Sequence, residues 1–588
     1  MGKYIPLRKL PASRIIVMPD FQDALNKELS GSSDTGLRFD PEDRLSVKKE
    51  DQTPIVLSKR ELAWLILPCL LLITFRLVLW HQYFNGDIKQ DRAFIEGRES
   101  VTGMHCANDR SRWAAIVSLV HRGTWQIDDV ERLRGSNGNW GTIDKVYHIN
   151  SSGEEHFYSS KPPLYILFVA SQYWVLNRVF GVDMLVNPLW PIKGLVFFNQ
   201  VLLFALFLWL YLRICQRFVW RRSVLICLVI TAGFGTFLST FAVSLNNHLP
   251  AAVCVLATIV LMIRMESDQI SGRRDYFYVG VLTALSVTFE LPALSFLALI
   301  GIWLLVRSPA RTLTFGLAGV GVVAVAFFGS NYWAHDSILP PYAHRSDGKV
   351  LKYLEQQDAA LLVSGVVPET LALFGGRIDK NDSLPSMSNI VVEHHPTVGR
   401  WRIFDLQNQR RYALQQAGGL FEIRAWDNWY DYEVNGRGSY WLPGAASGVD
   451  LGESSRLRYL MHITFGHHGI FSLTPVWLFS LLGIAVAWRD PDPIWRRLSY
   501  LLATLIIVLI VFYTLRPLAD RNYGGVASGF RWFFWLIPLF LLMLIPAWTV
   551  IRRSMFLLSL WGISLLISIY SSFHGFLNPW QHPWYFSP

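Results

Sequence analysis

The chain has 588 residues, of which 52% are hydrophobic and only 17% are charged. A soluble globular protein carries about 25% charged residues. The low charge, combined with many long apolar runs, therefore excludes that class and indicates a polytopic membrane protein. The net charge of +10 does not predict nucleic-acid binding, because the basic residues lie mainly in short loops between the apolar runs.

The first 60 residues form a polar, basic segment with little hydrophobic periodicity. We expect this segment to be a mostly disordered cytoplasmic tail. The first apolar run begins only near residue 61, which predicts that no cleavable signal peptide opens the chain.

Eleven apolar runs are candidate membrane spans, at about 61–80, 192–212, 223–245, 249–263, 276–290, 291–306, 312–332, 469–488, 498–515, 530–549 and 554–573. The combined stretch 276–306 is too long for one crossing at about 1.5 Å per residue. Pro292 in its middle predicts a hairpin of two short helices. The stretch 164–180 is apolar but interrupted by polar residues, and hydropathy alone would count it as a twelfth span.

Five basic loops decide between these two counts, at 213–222, 264–275, 307–311, 488–497 and 551–553. If 164–180 stays out of the membrane, all five loops fall on the same side as the basic N-terminus, as the positive-inside tendency favours. We therefore predict eleven crossings, a cytoplasmic N-terminus, and a juxtamembrane or re-entrant helix at 164–180.

This topology predicts an all-α polytopic membrane protein with about 11–12 transmembrane helices and an inserted extracytoplasmic domain of mixed structure. Within that insert, "LFEIRAWDNWYDYEV" favours extended structure over an amphipathic helix. The predicted division is a tail at 1–60, a transmembrane module at 61–332 with a first outer loop at 81–191, the insert at 333–467, further transmembrane helices at 468–573 and an outer tail at 574–588.

Two stretches of the first outer loop combine charge with helix signals. "ANDRSRWAAIVSLVHRGTWQI" (107–127) predicts a short amphipathic helix with Asp109 in its first turn. "SSKPPL" places Lys161 and two prolines directly before an apolar helix, where a lysine costs free energy in hydrocarbon. Taken locally, these are a helix-capping aspartate and a lysine that extends to the interface.

In this order, the motifs resemble the GT-C superfamily of membrane glycosyltransferases, in the branch with protein O-mannosyltransferases and bacterial aminoarabinose transferases. The chain has an acid ahead of Arg-aromatic-Ala, then "GTW", then "KPPL" opening an apolar helix. The matching residues are Asp109, Arg112, Trp113, Lys161, Pro162, Pro163 and Leu164. Arg110 stands where the branch usually has a second acid. At this position the chain therefore lacks the pair of carboxylates that a mechanism with two acids would need.

Weaker similarity lies in "SLNNHLPAA" (244–252), "FELPA" (289–293), "GIFSLTPVWLFSLLG" (469–483) and "NYGGVASGFRWFFWLIPL" (522–539). The resemblance covers roughly 60–330 and 469–550 and leaves the insert outside it. It implies an enzyme of the bacterial plasma membrane that takes a sugar from a polyprenyl-phosphate carrier on the extracytoplasmic side.

The resemblance and the chemistry of a lipid phosphate imply roles for individual residues. Cations are needed where the phosphate lies, and Arg112, Lys161 and Arg531 are the predicted phosphate ligands. Asp109 is the predicted general base for the acceptor hydroxyl in an inverting transfer, with Glu290 as a second candidate. The candidate substrate-binding residues are Asn246, Asn247, His248 and Glu290.

We expect no metal site and no cofactor, since the five cysteines lack metal-ligand spacing. The expected partners are the bilayer, the polyprenyl-phosphate sugar and a protein, lipid or glycan acceptor. One alternative is a transporter or flippase of a lipid-linked sugar, although transporters tend to have internal repeats and none is evident in this chain. A non-catalytic GT-C-like scaffold is the other. The sugar, the acceptor and the carrier length stay open.

Overall fold

The computed structural model describes residues 58–79, 104–133, 140–150, 152–267, 271–372, 389–406, 410–434 and 436–586, and all of them belong to one compact unit, Thr53–Pro588. The predicted tail at 1–60 lies outside the described residues except for its last three positions, and so does the part of the first loop at 81–103.

Each predicted apolar run contains helix, although the runs at 223–245 and 469–488 are interrupted and the run at 530–549 begins as a 3-10 turn. The helices of these runs are Lys59–Leu79, Leu189–Phe218, Arg222–Phe234, Phe237–Phe241, His248–Ser267, Arg273–Phe289, Leu294–Arg307, Pro309–His335, Ile470–Leu473, Trp477–Ala487, Pro493–Leu515, Ile537–Ile551 and Met555–Leu577. Among the described residues, seven helices are long and apolar enough to cross a membrane. Large apolar side chains face outward from them, with Val325 75% exposed and Leu566 67% exposed. These are the features of a helical integral membrane protein.

Small residues let some of these helices approach closely. Gly280 of Arg273–Phe289 and Gly319 of Pro309–His335 face each other's helix. A Cβ atom at either position would lie 2.2 Å from a backbone carbonyl oxygen of the other helix. Membrane helices pack in this way because lipid and apolar side chains are alike, so close backbone contact supplies the attraction.

Two interruptions shape the helices near the candidate site. The predicted hairpin at 276–306 is confirmed, since a 3-10 turn at Leu291–Ala293 separates its two helices. The run at 223–245 is not one continuous helix, because residues 235–236 separate Arg222–Phe234 from Phe237–Phe241 and residues 242–247 are irregular. Asn246 holds the irregular stretch 242–247: its amide donates to the carbonyl of Phe241 at 2.7 Å, and its side-chain oxygen accepts from the backbone N–H of His248 at 3.0 Å.

The first outer loop contributes the helices Ala107–Arg122, Asp128–Glu131 and Pro163–Phe180 and a hairpin of two strands, β1 (Lys145–Ile149) and β2 (Glu155–Ser159). The strands are antiparallel, with Lys145 opposite Ser159. Ser111 of the first helix ties it to this hairpin, because its hydroxyl donates to the Asp144 carbonyl at 2.5 Å. The loop is therefore a folded unit rather than an irregular connection.

The insert contains a five-stranded antiparallel sheet of β3 (Val350–Leu354), β4 (Ile390–His394), β5 (Arg400–Asp405), β6 (Arg410–Ala417) and β7 (Leu420–Ala425), in the order β3-β7-β6-β5-β4. Helices at Gln356–Val363 and Glu369–Ala372 accompany the sheet, and Leu362, Leu414 and Ile423 are buried in a core of their own. Of the stretch "LFEIRAWDNWYDYEV" (420–434), for which extended structure is predicted, residues 420–425 form β7 and residues 433–434 form a further short strand, whereas residues 426–432 between them are irregular. The insert is thus a mixed domain.

Aromatic stacking fastens the insert to the first loop. His148 of β1 stacks on Trp429 of the insert with ring centroids 4.1 Å apart, and His344 stacks on the same indole at 3.6 Å. The backbone N–H of Tyr147 donates to the Trp429 carbonyl at 2.9 Å. The short strands β8 (Glu433–Val434) and β9 (Arg437–Gly438) pair antiparallel. The helix Arg456–Thr464 contacts the loop before Arg531, where the Tyr459 hydroxyl donates to the Asn522 carbonyl at 2.7 Å.

Candidate functional site

A polar cavity of about 650 Å³ opens where the first loop, the tip of the helical hairpin, the insert and the loop before Arg531 meet. Its walls come from stretches far apart in the chain. Six of the eight residues singled out from the sequence line it: Arg112, Lys161, Asn247, His248, Glu290 and Arg531.

Arg112 lies on the second turn of the helix Ala107–Arg122 and is 5% exposed. Its guanidinium donates to the Asn108 carbonyl at 3.1 Å and to the side-chain oxygen of Asn247 at 2.8 Å. Burial lowers the pKa of Arg112, and the nearby charge of Arg531 lowers it further. Neutral acceptors thus orient this cation, and the residues described around it form no ion pair with it.

Lys161 lies between β2 and the helix Pro163–Phe180. The prolines at the start of that helix end the strand and favour the first helical turn. Its ammonium lies 3.2 Å from a carboxylate oxygen of Asp144. Burial lowers the pKa of Lys161 to about 8. The charges of Arg112 and Arg531 act in the same direction, and Asp144 opposes them. Lys161 remains a cation at neutral pH, although the positive charges of its neighbours destabilise its protonated form.

Arg531 opens the 3-10 turn Arg531–Leu536. Its Nε atom donates to the Gly524 carbonyl at 2.5 Å, and its guanidinium carbon lies 5.0 Å from the centroid of the Trp580 ring. Gly524 has φ +94°, and a Cβ atom there would lie 2.6 Å from the Arg531 Nε. The loop therefore needs glycine at 524, both for its left-handed backbone and for space beside the arginine.

Asn247, His248 and Glu290 form one hydrogen-bonded group at the hairpin tip. The Asn247 amide donates to Glu290 Oε1 at 2.6 Å, and His248 Nδ1 contacts the same oxygen. Because Asn247 also accepts from Arg112, the group links the hairpin to the first outer loop. The Nε2 atom of His248 is buried and has no hydrogen-bond partner among the described residues, so it is not the face that this group presents to the cavity.

The two other predicted residues, Asp109 and Asn246, do not line the cavity. Asp109 is fully buried, and its carboxylate oxygens accept from the backbone N–H groups of Cys106 at 2.8 Å and His105 at 2.9 Å. Burial raises the pKa of Asp109, and these two hydrogen bonds oppose that shift. Asp109 therefore caps the helix Ala107–Arg122, which is the role that its position in the first turn predicts when the residue is taken locally. Asn246 pairs instead with Gln200 at 3.0 Å.

Asp144 is a cavity residue that the sequence did not single out. It directly precedes β1, and the pairing of Lys145 with Ser159 brings it alongside Lys161. The signal that points to it is the hairpin itself, with turn residues at 150–153 between two short alternating stretches. The strand register alone predicts that residues 144 and 160 are neighbours, and the Ser160 N–H does donate to the Asp144 carbonyl at 3.2 Å.

The insert lines part of the cavity with aromatic and charged side chains. Asp450 accepts from the Tyr440 hydroxyl at 3.1 Å and from the Asn522 amide at 3.3 Å. Arg345 pairs with Asp520 at 2.9 Å, and its guanidinium carbon lies 5.6 Å from the centroid of the Trp441 ring. Arg345, Tyr440, Trp441 and Asp450 belong to the insert, which lies outside the family resemblance.

No family model, curated protein or solved structure matches this chain. The described residues contain no group of three or more histidine, cysteine, aspartate or glutamate side chains placed to hold a metal ion. The chemistry that the cavity offers is binding of an anion by Arg112, Lys161 and Arg531, with carboxylates at Asp144, Glu290 and Asp450 available for proton transfer.

Proposed function

We propose that this protein is a membrane glycosyltransferase that moves a sugar from a polyprenyl phosphate to an acceptor hydroxyl. The observation that carries the proposal is the meeting of Arg112, Lys161 and Arg531 in one cavity. Like charges brought together in a buried site repel each other and cost free energy. An anion bound between them, such as a phosphodiester, removes that cost.

The three cations can stabilise the phosphate group as it leaves the sugar. In the donor, the anomeric carbon of the sugar is bonded to a phosphate oxygen. When the acceptor oxygen attacks, that bond breaks and a second negative charge develops on the phosphate. Arginine forks and a lysine point charge at fixed positions stabilise this charge as it forms. A single displacement of this kind inverts the anomeric configuration.

The lipid part of the donor also has a suitable place. Leu291, at the hairpin tip, lines the cavity and is 49% exposed, and the neighbouring Leu294 is 54% exposed. The polyprenyl chain leaves the cavity beside these apolar side chains and continues along the outward faces of the helices. A soluble sugar phosphate would gain nothing from this apolar exit, so the exit supports a lipid-linked donor.

The cavity belongs, in this proposal, to the extracytoplasmic side of a bacterial plasma membrane. Three of the five predicted basic loops, at 264–275, 307–311 and 488–497, meet at the other ends of their helices, where Glu266 pairs with Arg307 at 3.1 Å and with Arg497 at 2.6 Å. The positive-inside tendency assigns such a basic end to the cytoplasm.

Purified protein in lipid nanodiscs tests the function with a panel of short-chain polyprenyl-phosphate hexoses and pentoses. We expect at least one donor to bind and to lose its sugar to an added alcohol or to water. The variants Arg112→Gln and Arg531→Gln should weaken donor binding, whereas Arg410→Gln, at an exposed arginine of β6, should not. No binding of any donor overturns the proposal.

Two other results point to the alternative functions. Movement of the intact donor across a liposome bilayer, without cleavage, identifies a flippase or transporter. Binding with neither cleavage nor movement identifies a scaffold. In both cases the Arg410→Gln control behaves as wild type, so the distinction does not depend on general damage to the fold.

A further inference from the structure

Four carboxylates line the cavity. Asp144 is ion-paired with Lys161, and Asp520 with Arg345 and Arg516. A carboxylate held by a cation is a weak base, because protonation breaks the ion pair.

Glu290 and Asp450 are held by uncharged partners, but Glu290 is only 5% exposed and one of its oxygens is taken by both Asn247 and His248. Asp450 is half-buried and is held by the Tyr440 hydroxyl and the Asn522 amide, so it is the more accessible of the two to an acceptor.

The surroundings of Asp450 favour proton uptake. Burial raises the pKa of Asp450, the Tyr440 hydroxyl opposes that shift, the Asp144 carboxylate adds to it and the Arg531 guanidinium opposes it. A general base works best when its pKa is raised toward the operating pH, and when it is held without being neutralised. Asp450 meets both conditions.

A short loop connects Asp450 to the cation that we assign to the phosphate. Asn522 donates to Asp450 Oδ1 at 3.3 Å and accepts from the Gly524 N–H at 3.0 Å. The Gly524 carbonyl in turn accepts from Arg531 Nε at 2.5 Å. One loop of four residues, 522–525, therefore positions a carboxylate and a guanidinium at the same cavity wall.

We propose that Asp450 is the general base of the transfer, and that the acceptor reaches it along the wall formed by Tyr440 and Trp441. This inference rests on the proposed function. In the step, an oxygen of Asp450 takes the proton of the acceptor hydroxyl while the acceptor oxygen bonds to the anomeric carbon. The bond from that carbon to the phosphate oxygen breaks, and its electron pair leaves with the polyprenyl phosphate. The protonated Asp450 then returns the proton to water.

The test compares donor binding and sugar release in wild type, Asp450→Asn, Asp144→Asn and Glu290→Gln, with a short-chain polyprenyl-phosphate hexose as donor and water or methyl hexosides as acceptors. Loss of a general base lowers kcat by about 100- to 10,000-fold, and we expect that loss in Asp450→Asn with a donor Kd within twofold of wild type. Asp358→Asn, a partly exposed aspartate on a helix of the insert, is the matched control and should retain full activity.

The pH profile separates a base from a structural residue. Wild-type kcat should rise through an acidic limb that lies above the usual range of an aspartate, and Asp450→Asn should lack that limb. Tyr440→Phe removes a hydrogen bond that lowers the pKa of Asp450, so its limb should move to higher pH. This variant keeps the Asp450 carboxylate and decides the question even if Asp450→Asn does not fold.

The outcomes distinguish the two proposals. If wild type binds no lipid-linked donor, the proposed function fails first. If wild type transfers sugar but Asp450→Asn keeps the activity and the acidic limb, or if Glu290→Gln or Asp144→Asn loses that limb instead, only the assignment of Asp450 fails. Wild type that binds donor and releases no sugar to any acceptor overturns the assignment of Asp450 together with the catalytic part of the function.

Discussion

Two clusters of buried charge in this protein have the same residue types but opposite organisation. In the insert, Arg400 pairs with Asp347 at 2.6 Å, Arg402 pairs with Asp431 at 2.7 Å, and Arg400 also contacts Asp431. Burial raises the pKa of Asp431, but His395 and the two arginines outweigh burial and hold it well below its usual range. Each arginine has a carboxylate partner.

The cavity cluster is only partly closed in this way, because Lys161 pairs with Asp144 but the two arginines have no such partner. Arg112 and Arg531 are oriented by an asparagine and by a backbone carbonyl, and the side chains described around them supply no ion pair. In these two clusters, an arginine whose partner is a carboxylate stabilises the fold, whereas an arginine held by neutral groups is available to a ligand. Substitutions in the two clusters should therefore separate effects on stability from effects on binding.

The largest expected effect is on stability, in Asp431→Asn. The substitution leaves Arg400 and Arg402 beside a neutral amide, and breaking a buried ion pair costs about 3–5 kcal/mol. We expect a clearly lower Tm for the purified protein and faster proteolysis within the insert.

Asp427→Asn is the matched control for this prediction. Asp427 belongs to the same segment but is 43% exposed and pairs with His344, so its loss should cost less than about 1 kcal/mol. Equal Tm values for the two variants would contradict a structural role for the closed cluster.

Lys161→Ala should act on binding instead. A hydrogen bond to a charged group contributes about 1.5–3 kcal/mol, so donor Kd should rise by about 10- to 100-fold as measured by titration in nanodiscs. The Tm should change less than in Asp431→Asn, because Lys161 and its partner Asp144 are 17% and 16% exposed, whereas Asp431 is 1% exposed. An unchanged Kd would remove Lys161 from the phosphate site.

The pH dependence of donor binding sharpens the same comparison. The pKa of Lys161 is lowered to about 8, so the unliganded protein carries this charge below that pH and loses it above. Donor Kd should rise about tenfold between pH 7 and pH 9. In Lys161→Arg the rise should disappear, because an arginine stays protonated over this range. A pH dependence that persists in Lys161→Arg would assign it to another group.

The smallest expected effect comes from Gly524→Ala. Both Gly524 and Gly525 have left-handed backbone, with φ +94° and φ +77°, so alanine at either position costs about 1–2 kcal/mol of strain. Only alanine at 524 meets the side chain of Arg531; at 525 the nearest atom, of Asp450, lies at an ordinary 3.6 Å.

Donor Kd should therefore rise about fivefold in Gly524→Ala and remain near the wild-type value in Gly525→Ala, with similar Tm values for both. Equal Kd values would mean that the loop does not position Arg531.

Hydropathy predicted eleven spans, and among the described residues seven long apolar helices and three shorter ones lie in those runs, because an apolar helix is a local property of the chain. The same holds for the break at Pro292, where the missing N–H acts on its own helix, and for β7, whose extended pattern is read from six residues. These statements needed only neighbours along the sequence. Arg112, Lys161 and Arg531 were indicated by the family resemblance and by the chemistry of a lipid phosphate.

Tertiary structure decided what the carboxylates do. Asp109 has the sequence position of both a cap and a base, and only packing buries it under two backbone N–H groups. Asp144 reaches Lys161 through a strand register, and Asp450 lies at the cavity where the Asn522 amide donates to it. The sequence by itself determined which segments are helical and where cations lie. Which acid faces them depends on how separate segments pack: Asp450 and Asn522 are 72 positions apart, and no pattern local to either segment encodes their contact.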